Sequence, residues 1–502
     1  MTLTVDREVA ALPSTAHDSS HNPHHERRWL ILAVLGIAQL MVVLDATVVN
    51  IALPTAQHAL GFSDNARQWV VTAYALAFGS LLLIGGRLAD LVGRKRMFLV
   101  GLVGFAAASA VGGAATSFAM LVTARAAQGA FGALLAPAAL ALLTTTFAHA
   151  HERGRAFGIY GAIAGAGAAI GLLLGGLLTE YASWRATMFV NLIFAAVAFV
   201  GGTLLLHNQS SEHRPKLDWP GTVTVSAGLF ALVFGFSHAE TAGWGNPVTV
   251  GSLAAAAALL VSFVVIQTRS PHPLLPMRVV LDRNRGGAFL AMFTAAAGMF
   301  GIFLFLTYYL QQTLGYSAVS TGLAFLPMSG VLVITASTVS AVLTPRISPR
   351  ILIPAGLALS AVSMYLLTGL TVSSSYTSAV LPATLLMGMG MGATFASAMS
   401  LATLGVDSDD AGVASAMVNT MQQVGGSVGT ALLNTIAATA AGHFIATHGL
   451  RPATIAGAAV HSYTVAFWWS AAIFAAGAVV TFVLLRPGVP QIDPDAEVLV
   501  VL

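Results

Sequence analysis

"QLMVVLDATVVNIALP", Gln39 to Pro54, sets one carboxylate, Asp45, inside a run that is otherwise almost wholly apolar. Immediately upstream, "WLILAVLGIAQLMVVL", Trp29 to Leu44, carries no charge. About 20 apolar residues cross the ~30 Å of a bilayer's hydrocarbon as a helix, and this stretch is long enough. An acid kept in hydrocarbon is costly and needs a partner, a function or both. The rest of the chain decides whether the stretch is a membrane span.

Across 502 residues the chain is 57% hydrophobic and only 8% charged, with a mean hydropathy of +0.82. Soluble proteins carry roughly 25% charged residues. Fourteen spans can be read, at 29–49, 69–88, 98–115, 118–143, 157–178, 187–206, 219–237, 248–268, 286–310, 320–343, 351–370, 377–403, 412–440 and 463–485. The expected fold class is therefore an all-α polytopic membrane protein. Residues 1–28, with His17, His21, His24 and His25, read as a disordered cytoplasmic tail whose histidines are solvated, not metal-ligating. The first apolar run is too long for a signal-peptide core and no small-residue cleavage site follows, so it should remain as a helix. The chain has no cysteine, which excludes disulfides, thiolate catalysis and cysteine-based metal sites.

Charge distribution says more than the net +3. With the N-terminus inside, cytoplasmic segments collect Arg27, Arg28, Arg94, Lys95, Arg96, Arg214, Lys216, Arg278, Arg283, Arg285, Arg346, Arg350 and Arg486, among others. The outer loops hold only Arg67, Arg185 and Arg451. This asymmetry follows the positive-inside rule and expects a cell inner (cytoplasmic) membrane protein with both termini cytoplasmic.

The chain also repeats itself. "LGFS" (Leu60–Ser63) recurs as "LGYS" (Leu314–Ser317), and "KRMFLVGL" (Lys95–Leu102) as "RILIPAGL" (Arg350–Leu357). Glu152, Gly154, Ala156, Gly167 and Gly171 match Asp410, Gly412, Ala414, Gly425 and Gly429 at one offset. Two six-helix bundles are expected, at 29–206 and 286–486. Two inserted helices lie in a linker at 207–285, and a cytoplasmic tail follows at 487–502. Paired bundles around a midplane cavity are a common plan of secondary transporters. The counterpart of Asp45 falls near Met299, so the intramembrane acid belongs to the first bundle alone.

Between spans two and three lies "GRLADLVGRKR", Gly86 to Arg96. Gly86 and Gly93 suit a tight turn or close backbone approach, and Asp90 can accept from backbone amides or pair with Arg94 or Lys95. The loop resembles the signature motif of the major facilitator superfamily, with Leu91 and Val92 where a basic and an aromatic residue usually stand. "LDATVVNIALP" (Leu44–Pro54) resembles the first-helix motif of the superfamily's fourteen-helix drug:proton antiporters, the EmrB/QacA-type branch. "RAAQGAFGALLAPA" (Arg125–Ala138), "WRATMFVN" (Trp184–Asn191), "YYLQQTLGYS" (Tyr308–Ser317) and "GVASAMVNTMQQVGGSVG" (Gly412–Gly429) resemble the same branch. So does the fifth-helix antiporter motif, with Gly167, Gly171, Gly175 and Gly176, though Leu172 replaces its proline. The resemblance runs from about Arg28 to Arg486. It implies the major facilitator fold and export of drug-like or antibiotic molecules against protons.

Enzymatic and nucleotide chemistry find no residues to use. The only lysines, Lys95 and Lys216, do not lie in the Gly-Lys-[Ser/Thr] of a phosphate-binding loop, and "HAHER" (His149–Arg153) is not a metalloprotease motif. No cofactor, nucleotide or nucleic acid is expected. The expected partners are a small-molecule substrate and the lipid bilayer, the expected working unit is a monomer, and the energy source is the proton gradient. By helical rise Asp45 stands roughly 24 Å above the inner boundary and Arg125 about 18 Å above it, so each is the other's nearest partner by depth. An Asp stabilised by an Arg can carry a proton, while the guanidinium stays charged. A static ion pair joining two helices is the plainer reading. Expected cavity groups are Asn50, Tyr74, Gln128, Asn191, Tyr308, Gln311, Gln312, Asn419, Gln422 and Gln423. "MGMGMG" (Met387–Gly392) reads equally as a binding surface or a close-packing seam. Uptake of a small organic solute is the alternative function.

Overall fold

Apolar runs of membrane length become long helices because every backbone polar group must then be satisfied within the segment. The computed structural model describes residues 27–62, 64–147, 150–207, 218–406, 410–449 and 452–488. The histidine-bearing N-terminal segment, Lys216, Arg451 and residues 489–502 lie outside them, as does the side chain of Asn50. No strand occurs among the described residues.

The first six helices are α1 (Arg28–Leu60), α2 (Asp64–Val92), α3 (Arg94–Gly113), α4 (Phe118–Thr146), α5 (Ala150–Tyr181) and α6 (Ala186–Leu205). α7 (Trp219–Ala242) and α8 (Pro247–Arg269) follow as a hairpin, and α9 (Met277–Leu281) is a short connector. The last six are α10 (Arg283–Gly301), α11 (Ala318–Thr338), α12 (Pro349–Leu367), α13 (Leu381–Thr403), α14 (Ala411–His448) and α15 (Pro452–Leu484). Among the described residues 13 helices are long and apolar enough to cross a membrane, and α5, at 32 residues, packs among them.

Packing partners repeat between the halves. α1 lies on α4, α5 and α6 as α10 lies on α13, α14 and α15; α2 meets α4 as α11 meets α13; α3 meets α4 and α6 as α12 meets α13 and α15. The repeat fixes equivalence more finely than the sequence matches. Gly167 and Gly171 of α5 rest on Val43 and Thr47 of α1, while Gly425 and Gly429 of α14 rest on Phe293 and Ala297 of α10. The equivalent of Asp45 is therefore Ala295, not Met299. The four-residue discrepancy arises beyond Ala297, where α10 continues through wide π-helical turns at Ile302–Leu306 and Tyr309–Thr313. Such turns absorb extra residues.

The two bundles meet closely at the end carrying Arg94–Arg96, the basic end. Across the interface α2 packs on α14, α4 on α14, and α5 on α11 and α13, and nearer the opposite end Gly322 of α11 rests on Leu173 of α5. Gly86 lies against Gly412, and Gly158 against Ser340. α7 spans the seam between α2 and α14. Thr72 Oγ1 lies 3.0 Å from Ser237 Oγ, Trp69 faces Phe234, and Trp244 Nε1 donates to Thr435 at 2.9 Å.

Candidate functional site

The buried acids among the described residues are Asp45, Asp90, Asp218 and Asp410, and only Asp45 stands far from a helix end. It is 1% exposed, as is Arg125. Arg125 Nη1 donates to Asp45 Oδ2 at 2.5 Å. Asp45 Oδ1 accepts from Gln128 Nε2 at 2.8 Å and from Asn191 Nδ2 at 2.7 Å. Arg125 and Gln128 are three residues apart and so share one face of α4, where Arg125 Nη1 also donates to Gln128 Oε1 at 2.9 Å. Ser109 Oγ of α3 accepts from Gln128 at 2.7 Å and from Asn191 at 3.3 Å. From α2, the Val70 carbonyl accepts from Arg125 Nε at 3.1 Å, and the Tyr74 ring lies 4.5 Å from the guanidinium carbon.

Five helices thus converge on one ion pair. Burying two charges costs several kcal/mol each unless geometry and added hydrogen bonds compensate, and here three donors meet the carboxylate. Two polar atoms beside it, the Tyr74 hydroxyl and Asn191 Oδ1, have no hydrogen-bond partner among the described residues. Close approach of α2 and α4 depends on Gly129, where a Cβ would strike the Tyr74 carbonyl. The fifth-helix glycines put α1 equally close to α5: Gly167, Gly171 and Gly175 face Val43, Thr47 and Val48, and Gly176 is buried.

At the basic end, Gly93 takes a positive φ of 109°, turning the chain from α2 into α3. Asp90 Oδ1 accepts from Arg94 Nη2 at 3.3 Å and, across the bundle interface, from the Gly412 amide at 3.1 Å. A carboxylate beside the first turn of α14 is favoured by that helix's exposed amides and dipole. Lys95 turns away from this contact. Its Nζ donates to the Thr203 and Leu206 carbonyls at 3.0 and 2.5 Å, capping α6. The matched acids of the repeat are both ion-paired here: Glu152 with Arg28 at 2.6 Å, and Asp410 with Arg278 of α9 at 2.5 Å.

The expected cavity residues divide. Tyr74, Gln128 and Asn191 are sealed around the ion pair, because a buried carboxylate captures the nearest donors. Tyr308 is exposed, Gln312 Oε1 accepts from Tyr463 at 3.1 Å, and Gln311 is half-buried. Asn419 Nδ2 donates to Ser415 of its own helix at 3.1 Å, Gln422 contacts Met292 Sδ at 3.8 Å, and Gln423 lies beside Gly79 of α2. "MGMGMG" is a packing seam: Gly388 and Gly392 lie on the α11 backbone and Gly390 on α12, with Met387 and Met391 buried. Ser109 and the Val70 carbonyl had no sequence signal, while Glu152 and Asp410 had one, as matched members of the repeat.

Two bundles of one repeat, packed on each other and holding a sealed charge pair in one of them, define a secondary carrier. The chain belongs to the Major Facilitator Superfamily, whose family profile matches residues 35–430. The puromycin resistance protein pur8 of Streptomyces alboniger is 49% identical over 461 residues, covering 91% of this chain and 92% of its own. The cephamycin export protein CmcT of Amycolatopsis lactamdurans is 40% identical over 81% of this chain and 84% of its own. The crystal structure of the human organic anion transporter MFSD10 (TETRAN) superposes with a TM-score of 0.63 at 15% identity, over 92% of this chain and 100% of that one, a likeness of fold. The chain is a multi-pass membrane transporter of small molecules, not an enzyme.

Proposed function

We propose that the protein exports amphipathic, antibiotic-like molecules across the cytoplasmic membrane in exchange for protons, with Asp45 as the proton carrier. The observation that carries this reading is one buried carboxylate held by Arg125, Gln128 and Asn191. Proton uptake by Asp45 cancels its charge and leaves Arg125 without its counter-ion, a state that favours a different packing of α1, α4 and α6. One proton moving down the membrane field supplies about 2.3 kcal/mol per 100 mV. The positive-inside rule assigns the basic end to the cytoplasm, so the contact of Asp90 with Gly412 closes the cytoplasmic side. Relatives named for puromycin resistance and cephamycin export support an antibiotic-like cargo.

Inverted membrane vesicles test this directly. An imposed ΔpH should collapse on addition of puromycin or another amphipathic antibiotic, and only in vesicles carrying the protein. Accumulation of a sugar or amino acid, with no response to a broad antibiotic panel, would establish uptake instead.

A further inference from the structure

We propose that the groove between α12 and α15 at the basic end binds one anionic phospholipid of the cytoplasmic leaflet, a site separate from the transport pathway. The groove has a volume of about 380 Å³. Ile351, Pro354, Ala355 and Ala358 of α12 and Ala478, Val479 and Phe482 of α15 line it, with Pro354 and Ala478 buried beneath it. It opens on the outer wall of the second bundle, where Ile351, Val479 and Phe482 are 56%, 64% and 49% exposed. Its length, from Ile351 to Ala358, covers roughly 10 Å at 1.5 Å per residue. That lies within the ~15 Å hydrocarbon depth of one leaflet. Hydrocarbon is therefore the medium that meets it, and an acyl chain matches both its lining and its depth.

Charge at the mouth selects the headgroup. Arg350 stands at the basic end of the groove, with Nε donating to the Phe482 carbonyl at 2.9 Å and its guanidinium 4.7 Å above the Phe482 ring. These contacts pin the group over the groove and use one of its five N–H donors. Arg283 donates to the Val483 and Leu484 carbonyls at 3.0 Å each, so two cations converge on the end of α15. Arg346 is exposed four residues before Arg350, and Arg486 is exposed just after α15. The facing acid is Asp282, which lies 3.9 Å from Arg486 and 4.0 Å from Arg285. Four arginines against one carboxylate leave a positive rim. Basic pockets between membrane helices on the cytoplasmic side suit anionic headgroups. A free phosphate would satisfy the rim and leave the apolar groove uncovered, whereas a diacyl lipid satisfies both.

Native mass spectrometry of the purified full chain, offered phosphatidylglycerol or phosphatidylcholine, tests the site without reference to transport. The wild type should hold one lipid, with roughly tenfold preference for phosphatidylglycerol. Ala358→Phe, which fills the groove, should remove the one-to-one adduct. Arg346→Gln with Arg350→Gln should bring the two lipids to parity. Because Arg350 also caps α15, Arg346→Gln alone is the second variant, expected to lower the preference several-fold, with thermal unfolding checking each protein. Equal retention of both lipids by the wild type overturns the proposal. So does a phosphatidylglycerol adduct that survives both Ala358→Phe and Arg346→Gln.

Discussion

Asp45 joins three helices at one carboxylate, since its donors lie on α4 and α6 while it belongs to α1. Asp45→Asn keeps size and an acceptor for Arg125 but cannot titrate. The expected protein reaches near-normal abundance and still binds substrate, yet fails to build a substrate gradient against ΔpH. Vesicle antiport at the wild-type rate would assign the proton to another group. Asn191→Ala removes a hydrogen bond to a charged group, a loss of about 1.5–3 kcal/mol. Thermal unfolding should register this even where transport persists. Asp45 and Arg125 were legible in the sequence because charges in hydrocarbon demand each other. Ser109 was not, because a lone serine among alanines and glycines reads as a packing residue. Gln128 and Asn191 were legible as intramembrane polar groups but not as ligands of the carboxylate, since hydropathy carries no information on which polar group faces which.

Helices were legible through their apolar lengths, and the repeat through its glycines. The π turns after Gly301 and the connector α9 were not. Residue counting assumes 3.6 residues per turn, and nothing in "IFLFLTYYLQQT" announces a wider one. This is why the equivalent of Asp45 was placed four residues too far along. Glycine contacts give element-scale predictions that do not depend on the transport reading. Gly425 lies against the Phe293 backbone of α10, so Gly425→Val must push α14 off α10. Overpacking of this kind costs ~1–3 kcal/mol and should lower the melting temperature, whereas the same change at Gly426, which has open space, should not. Asp90→Ala removes the bond to the Gly412 amide at the start of α14. The variant should fold and insert, transport slowly, and open its basic end. The chain has no cysteine, so one cysteine introduced near Gly412 reports that opening by its labelling rate. An unchanged rate would make the loop a topological anchor only.

At the scale of the whole molecule, rocking of the bundles must break contacts at one end and form them at the other. α7 complicates this, because it packs on both α2 and α14, touching α2 through Ser237 while Trp244, in the turn just after it, donates to Thr435 of α14, and those helices belong to different bundles. It cannot ride with both. A disulfide joining α7 to α2 (Thr72→Cys with Ser237→Cys) should leave transport intact. Adding a second link from the turn after α7 to α14, through a reducible bis-thiosulfonate cross-linker between Trp244→Cys and Thr435→Cys, should arrest it, with recovery on reduction. Continued transport with both in place would mean that the bundles do not move apart along this seam. The same helix has a consequence for cargo dissolved in the bilayer. A carrier of two bare bundles has two sideways doors, one at each seam, and α7 stands across the α2–α14 door. Lipophilic compounds should then enter from the leaflet only through the doorway beside α5 and α11. Bulky substitutions at that threshold should slow their export while leaving water-borne compounds unaffected.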